Sequence, residues 1–461
     1  MKRKNVLALV LAAVMAGSMI GCSSGSKPES GSQETSSPES VPQASKEAEA
    51  SSASKEDEKP VELITAWWGN QTRNDRFQKM LDLYAKEHGI RIETQMSVWD
   101  DYLVSIQAAA ASSDMPDLMM LQGSYYQEYV DSGLLTDLTP YVESGALDTS
   151  SISDSILSAT SIDGKLYGIC AGINSISCIY NKTLLDTNNI TVKDNMTLDE
   201  FAALCKEVYE KTGYKTYFNY ESQLMEYMVR ANDVVLFGKD KIGGSSAKDI
   251  ADLFLLIEQG YQEGWLMDYS LLGSVSSVEE HPMVYGTSPE MSSWCAFYNS
   301  NQCTALQNAA PEGTELALTT APSKDVKKSA YLREAMSLVV PAKTQGQNQD
   351  AVVELLNWWI NSKEANEIIL GEPGVPANGE VASQITSQVD DTQAKIFTYV
   401  TEVVTPVASV ANPPAGNGMT EAENLLMELA QYVEYGQMTG MEAAEKFFTE
   451  GNEIMAAAAK R

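Results

Sequence analysis

The sequence predicts an α/β protein whose folded part is divided into two lobes. Apolar patterns typical of strands and of helices alternate along the chain, which favours a mostly parallel sheet covered by helices on both faces. About 400 residues follow Pro60, which is long for one hydrophobic core and suits two lobes of about 150–200 residues each. The first 60 residues differ in composition from the rest, and they predict where the protein is located.

The first 22 residues have the layout of a secretory signal peptide. A basic start at residues 1–4 precedes an apolar stretch at 6–19 that is too short to cross a bilayer. The stretch ends in Met-Ile-Gly-Cys at residues 19–22, which resembles a bacterial lipobox, in which the cysteine is lipidated. We therefore expect an exported protein held by lipid on Cys22 at the extracellular face of the cell membrane. The alternative is an ordinary signal peptide with an incidental cysteine.

Residues 23–60 are predicted to form a disordered linker. They consist mostly of Ser, Glu, Lys, Ala, Gly and Pro and include no aromatic residue. Such a segment cannot bury enough apolar surface to offset the entropy of ordering it. A flexible chain of this length reaches roughly 35 Å on average, so the linker holds a folded domain away from the membrane and leaves it free to turn.

The first elements of the folded part follow from the spacing of apolar residues. The run at 63–68 predicts a buried strand that Gly69 ends. Apolar residues at i, i+3, i+4 and i+7 within 77–84 predict a helix that Gly89 ends. Strict alternation over 90–98 predicts a second strand on a half-buried sheet surface.

The same reasoning extends to the rest of the chain. An Ala-rich segment at 100–112 predicts a helix, the apolar run at 117–121 a short strand, and 125–130 a further helix. The strand and helix pattern recurs after Gly172, and the C-terminal third is helical. These later elements are a strand at 176–180 and helices at 198–211, 249–259, 350–361, 421–435 and 441–459.

Charge excludes one class of partner. The formal net charge of the chain is −31, and about −30 of it belongs to the folded part. The field of such a body repels polyanions, so nucleic acid is not expected as a partner and an anionic membrane surface is disfavoured. Neutral or cationic small ligands remain compatible with this charge.

The residues needed for common catalytic and metal sites are scarce. The chain has two histidines, His88 and His281, and no Walker loop or G-x-G-x-x-G motif. Residues 21–25 match G-x-S-x-G but lie at the lipid anchor, outside any strand-turn-helix context. Adjacent carboxylates such as Asp100 and Asp101 are expected by chance among 63 acidic residues. We therefore predict no enzyme activity, no metal site and no cofactor.

The remaining cysteines show no zinc-type spacing. Their number is odd, so at least one thiol stays free, and those in apolar strand-like segments are expected to be buried free thiols. A bridge between Cys295 and Cys303 is an alternative. The five are Cys170, Cys178, Cys205, Cys295 and Cys303.

Several short stretches occur in an order and spacing typical of one protein family. Two of them are Ser-Gly-Leu-Leu-Thr-Asp-Leu-Thr-Pro at 132–140 and Asp-Gly-Lys-Leu-Tyr-Gly-Ile at 163–169. Over about residues 61–455 the chain resembles the family 1 extracellular solute-binding proteins, the maltose-binding-protein-like receptors of ABC importers. The other matching stretches are 67–73, 99–102, 115–118, 179–185, 197–201 and 436–444.

The resemblance implies a periplasmic-binding-protein-like fold of two lobes, each a mixed, mostly parallel sheet flanked by helices, with a ligand cleft between them. It implies discontinuous lobes, with 61–172 and 330–375 in the first and 173–329 and 376–461 in the second. Ligand is expected to shift the population from open to closed by hinge rotation. The implied partners of this monomer are a small-molecule carbohydrate, the permease subunits of an ABC importer and the membrane, through the lipid anchor.

Candidate ligand residues follow from the chemistry of sugars. Aromatic side chains cover the two apolar faces of a pyranose, while carboxylates, amides and guanidinium groups bond its hydroxyls in pairs. In open α/β sheets the ligand lies beyond the carboxyl ends of the strands. Two neighbouring tryptophans on one strand point to opposite faces, so one of the pair is a core candidate as well. The ligand-binding candidates are Trp67, Trp68, Asn70, Arg73, Trp99, Gln122, Asn174, Glu290, Trp294 and Asn412.

The predicted function is capture of a carbohydrate, specifically an oligosaccharide, and its delivery to an ABC importer. One alternative is the same receptor fold with a non-sugar ligand such as a polyamine, which rows of carboxylates without stacking aromatics would favour. The other is a surface enzyme or adhesin that acts on glycans, which product formation from a glycan panel would reveal.

The lipid anchor is directly testable. Cys22→Ala should release the protein to the medium or block its processing, because no other residue of the lipobox can carry the lipid. Cell fractionation with an antibody against the folded part measures this, and Ser26→Ala in the linker is the control that should stay anchored. Unchanged membrane retention of Cys22→Ala would show that the anchor prediction is wrong.

Overall fold

A computed structural model describes residues 61–460, except 272–274, 276, 345 and 414. The predicted signal peptide, Cys22 and the linker lie outside the described residues. Within the described ranges, no helix combines the length and the apolar character needed to cross a membrane.

The strands predicted from apolar runs are all present. Each begins and ends within a few residues of its predicted bounds, and additional short strands flank them. In chain order, the strands of the described residues are β1 (Glu62–Trp68), β2 (Arg91–Ser97), β3 (Leu118–Leu121), β4 (Ser161–Ile162), β5 (Lys165–Leu166), β6 (Ile169–Asn174), β7 (Ile176–Asn181), β8 (Cys295–Asn299), β9 (Leu316–Thr319) and β10 (Arg333–Val339).

Helices account for most of the remaining regular structure, together with short 3₁₀ turns and one π-helical segment, Tyr399–Val404. The α-helices of the described residues are α1 (Gln71–His88), α2 (Trp99–Ser112), α3 (Tyr126–Asp131), α4 (Thr139–Ser144), α5 (Asp154–Ser158), α6 (Lys182–Thr187), α7 (Leu198–Thr212), α8 (Glu221–Val229), α9 (Asp252–Glu263), α10 (Pro282–Tyr285), α11 (Cys303–Ala309), α12 (Val326–Ser329), α13 (Gln347–Asn361), α14 (Lys363–Ile369), α15 (Gly379–Ile385), α16 (Asp391–Thr398), α17 (Met419–Glu434) and α18 (Gly440–Ala458).

Local sequence explains where the long helices begin and end. α7 starts with a capping box in which Thr197 accepts from the backbone of Glu200 and the Glu200 side chain accepts from the backbone of Thr197. α18 starts with a second capping box. α1 ends at Gly89, whose φ of 66° lies in the left-handed region that glycine adopts without steric cost.

The first sheet has five strands in the order β2-β1-β3-β10-β6. β1 pairs in parallel with β2 and β3, whereas β10 is antiparallel to both β3 and β6. The carboxyl ends of β1, β3 and β6 therefore meet the amino end of β10 at one edge of the sheet. This edge forms one wall of the cleft described below.

The second sheet has three strands in the order β8-β7-β9, and both pairings are antiparallel. This differs from the mostly parallel sheet expected for each lobe. Parallel pairing near this sheet occurs, in the described part of the chain, as isolated bridges at Lys215–Ser293 and Thr216–Leu266. The arrangement arises because β7 continues directly from β6 and runs away from the cleft, while β8 and β9 run back toward it.

Three chain segments cross between the two sheets. The first is Ser175, the single residue between β6 and β7. The second leads into β10. The third runs from α14, which packs on α1, through Val375, whose backbone exchanges two hydrogen bonds with Ile173, to α16, which packs on β9. The close approach at the third crossing requires Gly172, because a Cβ there would lie 2.7 Å from the Pro373 carbonyl. The lobe boundaries implied by the family resemblance stay a prediction.

Aromatic side chains dominate both cores. In the first lobe, Phe77 makes edge contacts with Trp67 and with Trp359. In the second, Phe218 stacks on Phe297 beside further buried rings. The five cysteines of the described residues are all buried free thiols, so the alternative bridge between Cys295 and Cys303 does not form.

Candidate functional site

A cleft of about 790 Å³ lies between the facing edges of the two sheets. Its walls come from strand ends, from the third crossing segment and from α11 and α16. Most of the lining side chains carry amide, hydroxyl, carboxyl or guanidinium groups, so the cleft is suited to a ligand with many hydrogen-bonding groups.

Arg73 is tied into the first-lobe wall. It lies in the first turn of α1, where its backbone N–H donates to the capping side chain of Asn70. Its guanidinium donates to the Trp68 carbonyl at 2.8 Å and forms an ion pair of 2.5 Å with Glu372 on the third crossing segment. This largely buried pair links the start of α1 to the crossing segment.

Arg76 also faces the cleft from α1. It donates to the carbonyls of Ile369 and Leu370, which lie at the end of α14. Those carbonyls have no intrahelical partner, so Arg76 closes the helix end and is committed to a structural contact.

Arg333 and Asn174 lie opposite each other at the cleft edge of the first sheet, as partners in the β10–β6 register. Directly opposed residues in antiparallel strands have neighbouring side chains. In the described residues no carboxylate lies within ion-pair distance of Arg333, and the buried Oδ1 of Asn174 has no hydrogen-bond partner. Burial lowers the pKa of Arg333, but nearby Tyr331, Tyr220 and Glu226 outweigh it and raise this pKa overall.

Glu334 follows Arg333 and borders the same cleft. Burial raises the pKa of its carboxyl from 4.5 to about 7, although hydrogen bonds from Ser337 and from the Gly123 backbone and the charge of Arg333 oppose the shift. The approach is close: a Cβ at Gly123 would overlap the Glu334 carboxyl. Glu334 is therefore a cleft carboxyl that changes charge near neutral pH.

The second-lobe wall is formed by amides and hydroxyls at the end of β8, just after it and at Tyr220. Asn299 donates to the Tyr220 hydroxyl at 2.9 Å, and its backbone N–H donates to Gln302. Asn301 and Thr304 border the same space. Tyr220 has a φ of 65°, a left-handed conformation that is costly for an aromatic residue and is enriched at functional sites.

A small aromatic pocket of about 10 Å³ adjoins the cleft on the first-lobe side. The Trp68 ring lies 4.8 Å from Trp99 and 5.3 Å from Tyr102, and Tyr125 lies beyond Trp99. Gln122, which directly follows β3, borders both this pocket and the polar cleft. The two spaces are therefore neighbours that share one amide side chain.

Two tryptophans among the predicted ligand residues are placed in the cores. Trp67 is 1% exposed and donates to Asn74, while Trp68 on the opposite face of β1 borders the aromatic pocket. Trp294 is 0% exposed, packs against Phe201 and donates to Thr216. Neither Trp67 nor Trp294 borders the cleft, so we replace the ligand-contact hypothesis for both with a packing role.

Three more predicted residues lie outside the cleft lining. Asn70 is exposed and caps α1. Glu290 is exposed in a short 3₁₀ turn. Asn412 accepts from Arg230 and donates to Glu226, which holds the late loop in place. The structure gives these side chains local roles, since each is either committed to a protein contact or remote from the cleft.

The cleft therefore brings together Arg73, Gln122 and Asn174 from the predicted set, with Trp68 and Trp99 in the adjoining pocket. Sequence reasoning missed Arg333 because it searched carboxyl ends of strands, whereas an antiparallel strand brings its amino end to that edge. The amide cluster after β8 could have been found by the same strand-end rule. The other residues missed were Tyr220, Asn299, Asn301, Gln302, Thr304, Glu334 and Glu372.

Comparison with known proteins identifies the family. The sequence model of the bacterial extracellular solute-binding proteins matches residues 79–398. The chain belongs to this family.

Among the described residues, no group of three or more His, Cys, Asp or Glu side chains could hold a metal ion.

Individual relatives of this solute-binding protein are distant. It is 22% identical over 202 residues to a galactooligosaccharide-binding protein of Bacillus subtilis, a match that spans 43% of this chain and 45% of that protein. A family 1 extracellular solute-binding protein from Alicyclobacillus acidocaldarius has a TM-score of 0.77 at 21% identity, over 87% of this chain and all of the other. A periplasmic oligogalacturonide-binding protein from Yersinia enterocolitica has a TM-score of 0.69 at the same identity and coverage. These structural likenesses show the fold.

The packing role of Trp294 predicts a large stability effect. Trp294→Ala should lower the free energy of unfolding by about 3–5 kcal/mol, because it leaves a cavity in an aromatic core and an unpaired Thr216 hydroxyl. Trp68→Ala, which removes a half-buried ring, is the matched control and should cost less. Urea unfolding followed by circular dichroism measures both. Equal, small effects would contradict the packing assignment.

The raised pKa of Glu334 predicts a pH-dependent contribution to stability. The folded protein binds this proton more tightly than the unfolded chain, so stability is lost as pH rises from about 4.5 to about 7. Glu334→Gln cannot ionise, so its stability relative to wild type should increase over that range by on the order of 1–3 kcal/mol. Urea unfolding at several pH values tests this, with the exposed Glu143→Gln as control. A constant difference between Glu334→Gln and wild type would refute it.

Proposed function

We propose that this protein is the lipid-anchored, extracellular substrate-binding component of an ABC importer and that it captures an oligosaccharide in the cleft. The observation that carries the proposal is the polar cleft with an aromatic pocket beside it, joined by Gln122. Sugar rings need both surfaces, because their hydroxyls require hydrogen bonds and their C–H faces favour aromatic rings. Family membership supports export and solute binding.

The proposed ligand residues are those that border the two spaces. Gln122 and Asn174 supply amides from the first lobe, and the cluster after β8 supplies them from the second. Trp68 and Trp99 are proposed to cover the face of a further sugar unit, which favours an oligosaccharide over a single sugar. The names of the Bacillus and Yersinia relatives, which bind oligosaccharides, are consistent with this class.

A polyamine fits the cleft less well. The cleft carboxylates are largely committed: Glu372 pairs with Arg73, and Asp390 accepts from the backbone of Gln393 at the start of α16. Three arginines border the same space, and Arg333, which has no ion-pair partner among the described residues, repels a cationic ligand. The cleft therefore does not share the strongly negative net charge of the chain as a whole.

Transport function requires closure of the cleft. We propose lobes of 61–172 with 330–375 and 173–329 with 376–461, which rotate about the three crossing segments when ligand bonds to both walls. The closed form would then be recognised by the permease. Binding without chemical change is also part of the proposal, and absence of new products after incubation with a glycan panel is its test.

A thermal-shift screen against mono- and oligosaccharides tests the proposal. A ligand at 100 times its Kd should add about 2.7 kcal/mol of stability, and solution scattering should show a smaller radius of gyration on closure. Gln122→Ala should weaken binding by roughly 2- to 10-fold through loss of a hydrogen bond. Gln127→Ala, an exposed glutamine on α3, is the matched control. Stabilisation by a cationic ligand alone would replace the sugar proposal with the polyamine alternative.

A further inference from the structure

The three arginines of the cleft differ in the protein groups that contact their guanidinium groups. Arg73 is neutralised by Glu372 at 2.5 Å, and Arg76 donates to two main-chain carbonyls. Arg333 has neither kind of partner among the described residues. The groups that raise its pKa are Tyr331, Tyr220, whose hydroxyl is hydrogen-bonded to the guanidinium, and Glu226, while its own charge acts on the neighbouring Glu334. Arg333 is therefore a cleft cation whose charge no protein group neutralises at contact distance.

Closure of the cleft makes this arrangement costly for a neutral ligand. A sugar without charge would displace water from Arg333 and leave a positive charge in a poorly hydrated space. A carboxylate would neutralise the guanidinium and match its geometry with two parallel hydrogen bonds. The neighbouring carboxyl of Glu334 already accepts from Ser337 and the Gly123 backbone and is partly protonated near neutral pH, so it competes weakly for Arg333.

Asn174 supplies a second, independent observation at the same place. It is 6% exposed, borders the cleft, and its buried Oδ1 has no hydrogen-bond partner in the described chain. Buried amide oxygens are almost always satisfied, so a donor is expected from outside the protein. A sugar hydroxyl is such a donor. Because Asn174 faces Arg333 across the β10–β6 pair, one ligand unit can reach both.

We infer that the oligosaccharide contains a uronic acid unit, whose carboxylate binds Arg333 and whose ring hydroxyl donates to Asn174. This inference rests on the proposed function and specifies its ligand class. The net charge of −31 does not oppose it, because physiological salt screens charges beyond roughly 8 Å. Inside the cleft, the electrostatic interaction that acts on the ligand carboxylate is its direct contact with the Arg333 guanidinium.

Calorimetric titration with paired probes tests the inference. The probes are oligomers of galacturonate, glucuronate, mannuronate and guluronate, each with its carboxyl-reduced neutral counterpart. At least one acidic oligomer should bind wild type roughly 10- to 100-fold more tightly than its reduced form, as expected for a charge-assisted pair. Arg333→Gln should lose this preference, and Arg333→Lys should keep part of it. Arg91→Gln removes an equal charge at an exposed site paired with Glu62 and should behave as wild type.

The outcomes separate this inference from the proposed function. Reduced or other neutral oligosaccharides that bind wild type as tightly as the acidic ones would overturn the inference and leave oligosaccharide binding intact. A preference for acidic oligomers that persists in Arg333→Gln would overturn the role of Arg333. No binding of any carbohydrate would overturn both. If Arg333→Gln fails to fold in melting experiments, the acidic and reduced pairs on wild type and on Arg333→Lys decide.

Discussion

The junction between the two sheets is the constraint on which the site depends. The backbones of Ile173 and Val375 pair with each other, and the Ser175 hydroxyl donates to the Tyr331 carbonyl at 2.9 Å. These bonds join all three crossing segments at the floor of the cleft. Since Asn174 and Arg333 lie beside these bonds, the same contacts that connect the lobes also position the central polar side chains. In the proposed closure, rotation about these segments would keep the geometry of the floor.

Charge is distributed very differently over the surface and in the cleft. The chain as a whole is strongly acidic, yet the cleft gathers three arginines, of which Arg333 has neither a carboxylate nor a main-chain carbonyl partner among the described residues. Long-range charge disfavours nucleic acid as a partner, but physiological salt screens this charge beyond roughly 8 Å and so leaves a contact at Arg333 unaffected. Recognition inside the cleft depends on contact geometry and on the loss of water, so net charge alone is a poor guide to the ligand.

The tryptophans at and near strands show what a sequence pattern predicts and what it leaves undecided. Alternation along β1 correctly placed Trp67 and Trp68 on opposite faces of the sheet. It did not predict which of the two rings is buried in the core, because both faces of a central strand are covered. Trp67 lies under α1, and Trp68 lies beside α2. Trp294 directly precedes β8, and it is among the ligand residues predicted from the sequence. The structure turns its ring inward, where Thr216 satisfies the indole N–H.

The sequence by itself determined the alternating strands and helices, the end of α1 at Gly89, the family and the polar end of β3 at Gln122. These features depend on local spacing and on short motifs, which are present in the sequence whatever tertiary structure it adopts. Only the tertiary structure decided that Arg333 joins the cleft and that Trp294 does not. The physical reason is that strand direction and the covering of each sheet face arise from contacts between residues far apart in sequence, and no local pattern records them.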